Sequence, residues 1–139
     1  MILSEAITHL EELKNNGTLK KVGGALEFSN IDQQVPTPAA FVVPERERAG
    51  ANKFSNGFSQ DVVDRFSVIL VFKVVNDRSG LKAEKEVQSV RKAVKAQLRG
   101  WQPTEEYEPT EFEGGSLLKL GNGKLVWQDS FKTSIEERG

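Results

Sequence analysis

Hydrophobic residues concentrate in one run, residues 62–75, which predicts a β-strand at the centre of the fold. A strand sends alternate side chains to opposite faces. One predicted face is wholly apolar and belongs to the core: it carries Phe66, Val68, Leu70, Phe72 and Val74. The other face is polar at its start but apolar at Ile69 and Val71. Because an outward apolar patch of this kind is usually covered, we expect another layer, such as a second subunit, to cover these two residues.

Two amphipathic helices are predicted on either side of this strand in the sequence. Apolar residues recur every three to four positions over residues 2–15 and again over residues 81–99, which is the spacing of one helical face. Gly17 and Gly100 follow the last apolar positions, where a left-handed C-terminal cap favours glycine. The pattern therefore predicts two helices that each present one side to the core.

Shorter apolar runs predict the strands before the central one. Residues 18–28 are expected to form one short strand, or two strands interrupted by a glycine pair. Residues 39–43 form an apolar run between two prolines, and proline marks strand ends because it cannot donate to a ladder. Loops are expected over residues 29–37 and at the turn of residues 76–80.

The last third of the chain predicts a β-hairpin. Gly121-Asn122-Gly123 suits a tight turn because asparagine and glycine tolerate positive φ angles. Strands are expected at residues 117–120 and 124–133, with a loop over residues 104–115 and a frayed end over residues 134–139. Together these elements predict an α+β fold: a mostly antiparallel sheet with two helices packed on one face.

A long segment without periodicity, residues 45–60, interrupts this regular pattern. It is predicted to be a flexible loop within a single domain, residues 1–139, because loops of this length are usually functional or disordered. Phe54 and Phe58 lie in it with no evident core to enter. Exposed apolar surface of this kind often marks contact with other protein chains. The predicted interface residues are Arg46, Arg48, Phe54, Phe58, Ile69 and Val71.

Composition narrows the classes of function. The chain has 139 residues, no cysteine and a formal net charge of −1. The absence of cysteine excludes disulfides, thiolate metal sites and cysteine nucleophiles. A balanced charge favours neither a nucleic-acid nor a membrane partner. No apolar stretch approaches the roughly 18 residues that span a bilayer, and the first residues do not resemble a signal peptide.

Candidate chemistry is sparse. The one histidine, His9, lies at the edge of the first helix's apolar stripe, where a structural role is expected. Asp61 and Asp64 would point to opposite faces of a strand, so they do not suggest a metal pair. No serine lies in a nucleophile-elbow motif, and no glycine-rich phosphate loop is present. We therefore expect no enzyme activity, no catalytic residue, no cofactor and no metal.

A basic stripe runs along the second predicted helix. Arg91, Lys95 and Arg99 recur every four residues and so lie next to one another on a helix. The stripe could bind an acidic partner, although a solvated helix face is the commoner explanation. Nucleic acid is a weaker alternative because the stripe has no interleaved aromatic residues.

Several motifs follow one another over nearly the whole chain, from about Leu19 to Phe131. They are Ala39-Ala40-Phe41-Val42-Val43-Pro44, Glu47-Arg48-Ala49-Gly50, Asp64-Arg65-Phe66, Gly100-Trp101-Gln102-Pro103, Glu111-Phe112-Glu113-Gly114-Gly115 and Val126-Trp127-Gln128-Asp129. This succession resembles the phage tail terminator family, small proteins encoded in the tail modules of tailed phages and prophages. The glycine-tryptophan-glutamine-proline motif after the helix and the final tryptophan-containing strand are the most specific parts of the resemblance.

The resemblance implies a structural role without catalysis. Tail terminators form hexameric rings that cap the finished tail tube, stop further addition of tube subunits and offer a surface for the head. The implied partners are other copies of the chain, the tail tube protein and a head-completion or connector protein. The implied location is the virion tail, assembled in the host cytoplasm. Family motif positions map to Phe66, Trp101, Pro103 and Trp127, where structural roles are expected. The alternative is an adaptor that joins head and tail.

Overall fold

The structure, a computed structural model, describes residues 2–29, 35–75 and 80–139. Most of the loop expected at residues 29–37 and of the turn expected at residues 76–80 lies outside the described residues. In chain order the elements are α1 (Leu3–Asn15), β1 (Lys21–Gly24), α2 (Ala25–Ser29), β2 (Ala39–Ala49), β3 (Ser59–Lys73), α3 (Leu81–Leu98), β4 (Glu111–Gly121) and β5 (Lys124–Arg138).

The strands form one five-stranded sheet in the order β1-β2-β3-β5-β4. β1 and β2 are parallel, and the other three pairs are antiparallel. The predicted α+β fold is therefore confirmed, and the long apolar strand is the middle one of the five. The hairpin turn is also confirmed: Asn122 and Gly123 adopt positive φ angles of 52° and 74°.

The main core lies between the sheet and the helices α1 and α3, a side of the sheet called here the helix face. Alternation along β3 directs Phe66, Val68 and Leu70 to this face, where each is at most 2% exposed. The stacked rings of Phe66 and Phe131, with centroids 5.7 Å apart, join β3 to β5. The two helices add Leu10, Leu13, Val90, Val94 and Leu98.

A second, smaller apolar cluster lies on the opposite face of the sheet, called here the open face. Ile69 and Val71 are 4% and 0% exposed there, together with Phe41 of β2. Phe28 of α2 and Val35 pack against the cluster. The expectation of a cover is correct, but a second subunit is the wrong cover, because Phe28 and Val35 of the same chain pack over these residues.

Two predicted boundaries are wrong near the start of the sheet. Residues 25–29 form a short helix, because a brief apolar run does not distinguish helix from strand. β2 continues through Pro44 to Ala49. β1 pairs with β2 only as far as Val42, so within the described ranges no outer strand needs the amide that Pro44 lacks. The register between β2 and β3 shifts directly after Pro44.

The last two strands are also longer than predicted. β4 begins at Glu111, inside the expected loop, and β5 continues to Arg138. Residues expected to fray instead pair with the start of β3, so that Ser59 lies opposite Arg138. These residues are mostly polar and do not alternate with apolar ones, so the sequence did not indicate a strand. They pair because β3 is long enough to lie beside them.

Candidate functional site

The connection between β2 and β3, residues 50–58, is called here the distal loop. It is shorter than the predicted loop of residues 45–60, whose two ends belong to strands. The Asn52 side chain organises it: Oδ1 accepts from the Ser59 amide at 2.8 Å, and Nδ2 donates to the carbonyls of Phe54 and Gly57. Lys53 also forms an ion pair with Asp61 at 2.8 Å.

The distal loop presents two phenylalanine side chains to solvent. Phe54 is 50% exposed and Phe58 is 39% exposed. Neither belongs to a core cluster of the residues that the structure describes, which agrees with the expectation that these side chains find no core. Their role as an interface stays a prediction, as does the flexibility of the loop in solution.

The β4–β5 hairpin presents a second exposed apolar surface. Leu117, Leu118 and Leu120 are 48%, 49% and 65% exposed. Because Lys73 pairs with Lys124 and Ser59 pairs with Arg138, this hairpin and the distal loop lie at opposite ends of the β3–β5 pair. Sequence reasoning assigned the leucines to a strand and missed their exposure. The adjacent pair at 117 and 118 was the available signal, because a strand cannot send neighbouring side chains to one face.

Between these ends, the open face carries a hydrogen-bonded polar group centred on Glu45. The Glu45 carboxylate accepts hydrogen bonds from Ser67, from Ser130 at 2.7 Å and from Gln128 at 2.9 Å. Partial burial works to raise the pKa of Glu45, but the three hydrogen bonds outweigh it and hold the pKa below 4.5. The carboxylate therefore ties β2 to β3 and β5 directly after the proline.

The two predicted interface arginines, Arg46 and Arg48, lie on the outer edge of β2 and are exposed. Arg46 is directly opposite Arg65 of β3, and like charges in this position are unfavourable. Arg65 is compensated by Glu113 at 3.0 Å. Within the described residues, neither Arg46 nor Arg48 forms an ion pair.

The predicted basic stripe does not form a free charged surface. Arg91 donates to both carboxylate oxygens of Asp129, at 2.8–3.1 Å, and its guanidinium lies 4.6 Å from the centre of the Trp127 ring. Lys95 lies over Phe112 at 4.9 Å. Arg91 and Lys95 are half-buried, whereas Arg99 is exposed. Arg91 therefore attaches α3 to β5, and Lys95 attaches it to β4. Sequence reasoning missed Asp129 as the anchor of Arg91.

Asp129 is wholly buried and also accepts a hydrogen bond from Trp127 Nε1 at 2.9 Å. A Cβ atom at Gly115 would lie 2.4 Å from Asp129 Oδ1 and 2.7 Å from Trp127 Nε1. Glycine at this position thus makes room for the ion pair. The motif residues Gly115, Trp127 and Asp129 of the last two strands accordingly pack against α3, in line with the structural role expected for Trp127.

The histidine has a structural environment. The His9 ring stacks on Trp101 with centroids 4.7 Å apart, and its Nε2 lies 2.8 Å from the Gln97 carbonyl. Burial first, then Glu47 nearby, raises the pKa of Asp64, whereas Asp61 pairs with Lys53. Among the described residues, no group of three acidic or histidine side chains could hold a metal ion. No helix in the described ranges is long and apolar enough to cross a membrane.

Comparisons with known proteins agree with the resemblance. The sequence matches the family described as phage tail terminator protein over residues 3–139. No curated protein sequence matches the chain. Among solved structures, a chain of the virion of a native gene transfer agent (GTA) particle has a similar fold, with a TM-score of 0.59 and 12% identity. The match covers 97% of this chain and 94% of that one.

Proposed function

The chain belongs to the phage tail terminator family and is a structural protein of the phage tail; we propose that it caps the tail tube as a ring of its own copies. The ring, with six copies by family resemblance, ends addition of tube subunits and offers the head a surface. No bond is made or broken in this mechanism. Assembly takes place in the host cytoplasm, and the protein stays in the virion tail.

The observation that carries the proposal is the pair of exposed apolar surfaces at opposite ends of one long strand pair. β3 and β5 each have 15 residues, and a strand of that length extends about 45–50 Å. A capping subunit needs one surface for the tube end and a different surface for whatever joins next. The distal loop and the hairpin leucines supply two such surfaces, held apart by a continuous ladder.

We assign the tube contact to the distal loop, with Phe54 and Phe58 as the anchoring side chains. Aromatic residues are enriched at the centres of protein interfaces because they bury a large area. The hairpin leucines Leu117, Leu118 and Leu120 are then left for the head-completion or connector protein. Both assignments rest on exposure and on their separation along the strands.

The direct experiment is electron microscopy of tails assembled from the full set of tail proteins with and without this one. Without a terminator, tubes grow beyond their normal length because nothing stops subunit addition. We expect overlong tubes, and normal length once the protein is supplied again. Tubes of normal length that fail to join heads would instead support the alternative, an adaptor at the head–tail joint.

A further inference from the structure

We propose that neighbouring copies in the ring join edge to edge, with Arg46 and Arg48 of one copy against Glu111 and Glu108 of the next. This inference rests on the proposed function, because it needs a ring of copies. It identifies the lateral contact, which is separate from the surfaces at the two ends of the strands.

Two rows of cross-strand neighbours on the open face carry the proposal. In the first row, Arg46 lies opposite Arg65 across the strands, Arg65 lies opposite Lys132, and Lys132 lies opposite Glu111. In the second row, Arg48 pairs with Val63 and Val63 with Ser134, whose carbonyl accepts from the amide of Glu108 at 2.8 Å. Each row therefore begins with arginine at the β2 edge and ends with glutamate at the other edge.

The basic edge is open along this stretch. β1 pairs with β2 only from Ala39 to Val42, so no described strand lies outside Arg46 and Arg48. The first row places Arg46, Arg65 and Lys132 side by side. Glu113 lies 3.0 Å from Arg65 and 4.0 Å from Lys132, but it forms no ion pair with Arg46. Arg46 is left beside like charge, which an acidic partner from outside would relieve.

The acidic edge includes a cleft. Its volume is about 460 Å³, and it lies between the open face and residues 108–111. The Glu111 side chain is 69% exposed, and its carboxylate lies 3.7 Å from the Lys132 ammonium. This ion pair is long and exposed, so it is weak. Glu108 and Glu111 both line the cleft and are exposed, and carboxylates suit a guanidinium group.

The two edges cannot meet within one copy. Three strand spacings of about 4.8 Å place the β2 edge roughly 14 Å from the glutamate edge. Two copies set side by side with parallel strands bring both rows end to end at once, so that Arg46 meets Glu111 and Arg48 meets Glu108. Such a contact joins two different surfaces, as a closed ring requires. It also leaves the distal loops of all copies at the same end of the ring.

Charge reversal tests the contact. We expect R46E/R48E and E108R/E111R each to raise the concentration for half-association by about a hundredfold or more, because like charges would then face each other. An equal mixture of the two variants should assemble again, since every contact in an alternating ring pairs opposite charges. The measurement is molecular mass by sedimentation across a concentration series, with tube ends added as nuclei. Association of the wild-type chain should weaken as salt rises.

The matched control is K82E/K85E, which changes net charge as much as R46E/R48E at exposed positions of α3. It should associate as the wild-type chain does. The inference is overturned if either edge variant associates like this control, or if the mixture stays dissociated; the proposed ring would then stand with a different lateral contact. A wild-type chain that stays monomeric even on tube ends would remove the ring and the inference together.

Discussion

The helix-covered half of the sheet and its distal half share the same strands but bury different amounts of surface. Along β3, every residue from Phe66 to Phe72 is buried, under helices on one face and the second apolar cluster on the other. Along the distal half, β2 is exposed from Pro44 to Ala49. The ladder continues through both halves, so the polar half is held in place by the buried one. Stability is therefore expected to depend on the first half and assembly on the second.

The largest difference between the halves is expected from their ion pairs. Asp129→Ala leaves Arg91 without its buried partner, and breaking such a pair typically lowers the free energy of unfolding by about 3–5 kcal/mol. The distal counterpart is Asp61→Ala, which removes the exposed pair with Lys53 and should leave the free energy of unfolding almost unchanged. Urea unfolding measures both. Equal losses would contradict the division between the halves.

A glycine in each half gives the next comparison. Gly115→Ala places a methyl group 2.4 Å from Asp129 Oδ1, and overpacking of this kind typically costs about 1–3 kcal/mol. Gly50→Ala, at the start of the distal loop, finds its nearest atom at 3.7 Å, an ordinary contact. We expect the thermal midpoint to fall for the first variant and to change little for the second. No change at Gly115 would mean that the Asp129 cluster relaxes freely.

Acid should weaken the junction of the halves through Glu45. Its pKa is lowered in the fold, so its contribution is present above pH 4.5 and is lost as pH falls through the lower, folded value. Asp64, whose pKa is raised by burial, contributes in the opposite direction. We expect Glu45→Gln to be less stable than wild type at neutral pH and to lose that difference in acid. Urea midpoints at both pH values check this, with Glu11→Gln on α1 as control; a pH-independent difference would count against the account.

The smallest effect on stability is expected at the distal loop. Phe54→Ser with Phe58→Ser removes two exposed rings and should change the free energy of unfolding by no more than about 0.5 kcal/mol. Tube capping should nevertheless be lost. Leu26→Ser, at an 81% exposed position of α2, is the matched control and should leave capping intact. Capping that survives the double substitution would rule out the loop as the tube contact.

The helix-covered half could be predicted from the sequence because hydrophobic periodicity reports burial directly. β3, α1 and α3 all follow from it, and the hairpin follows from Asn122 and its flanking glycines. The distal half could not be predicted in this way. Its strands carry charges on both faces, so they show no hydrophobic periodicity. Their pairing depends on how far β3 extends, and the pattern within one strand does not reveal this.

Only part of the candidate surfaces could be predicted, because the sequence shows local patterns but not contacts between distant segments. Arg46, Arg48, Phe54 and Phe58 stand out because nothing nearby in the sequence would cover them. Ile69 and Val71 were wrongly included because their cover, Phe28 and Val35, lies far earlier in the chain, before β2. The role of Glu108 and Glu111 was missed because only the cross-strand register shows that they lie in the same rows as Arg48 and Arg46.

Adding the purified protein to tube subunits during polymerisation tests the central claim most directly. The account predicts that mean tube length, measured by electron microscopy, falls as more protein is added, with a ring visible at one end of each stopped tube. The R46E/R48E variant should leave the length close to that of untreated tubes. Tubes that grow to the same length with or without the wild-type protein would contradict the account.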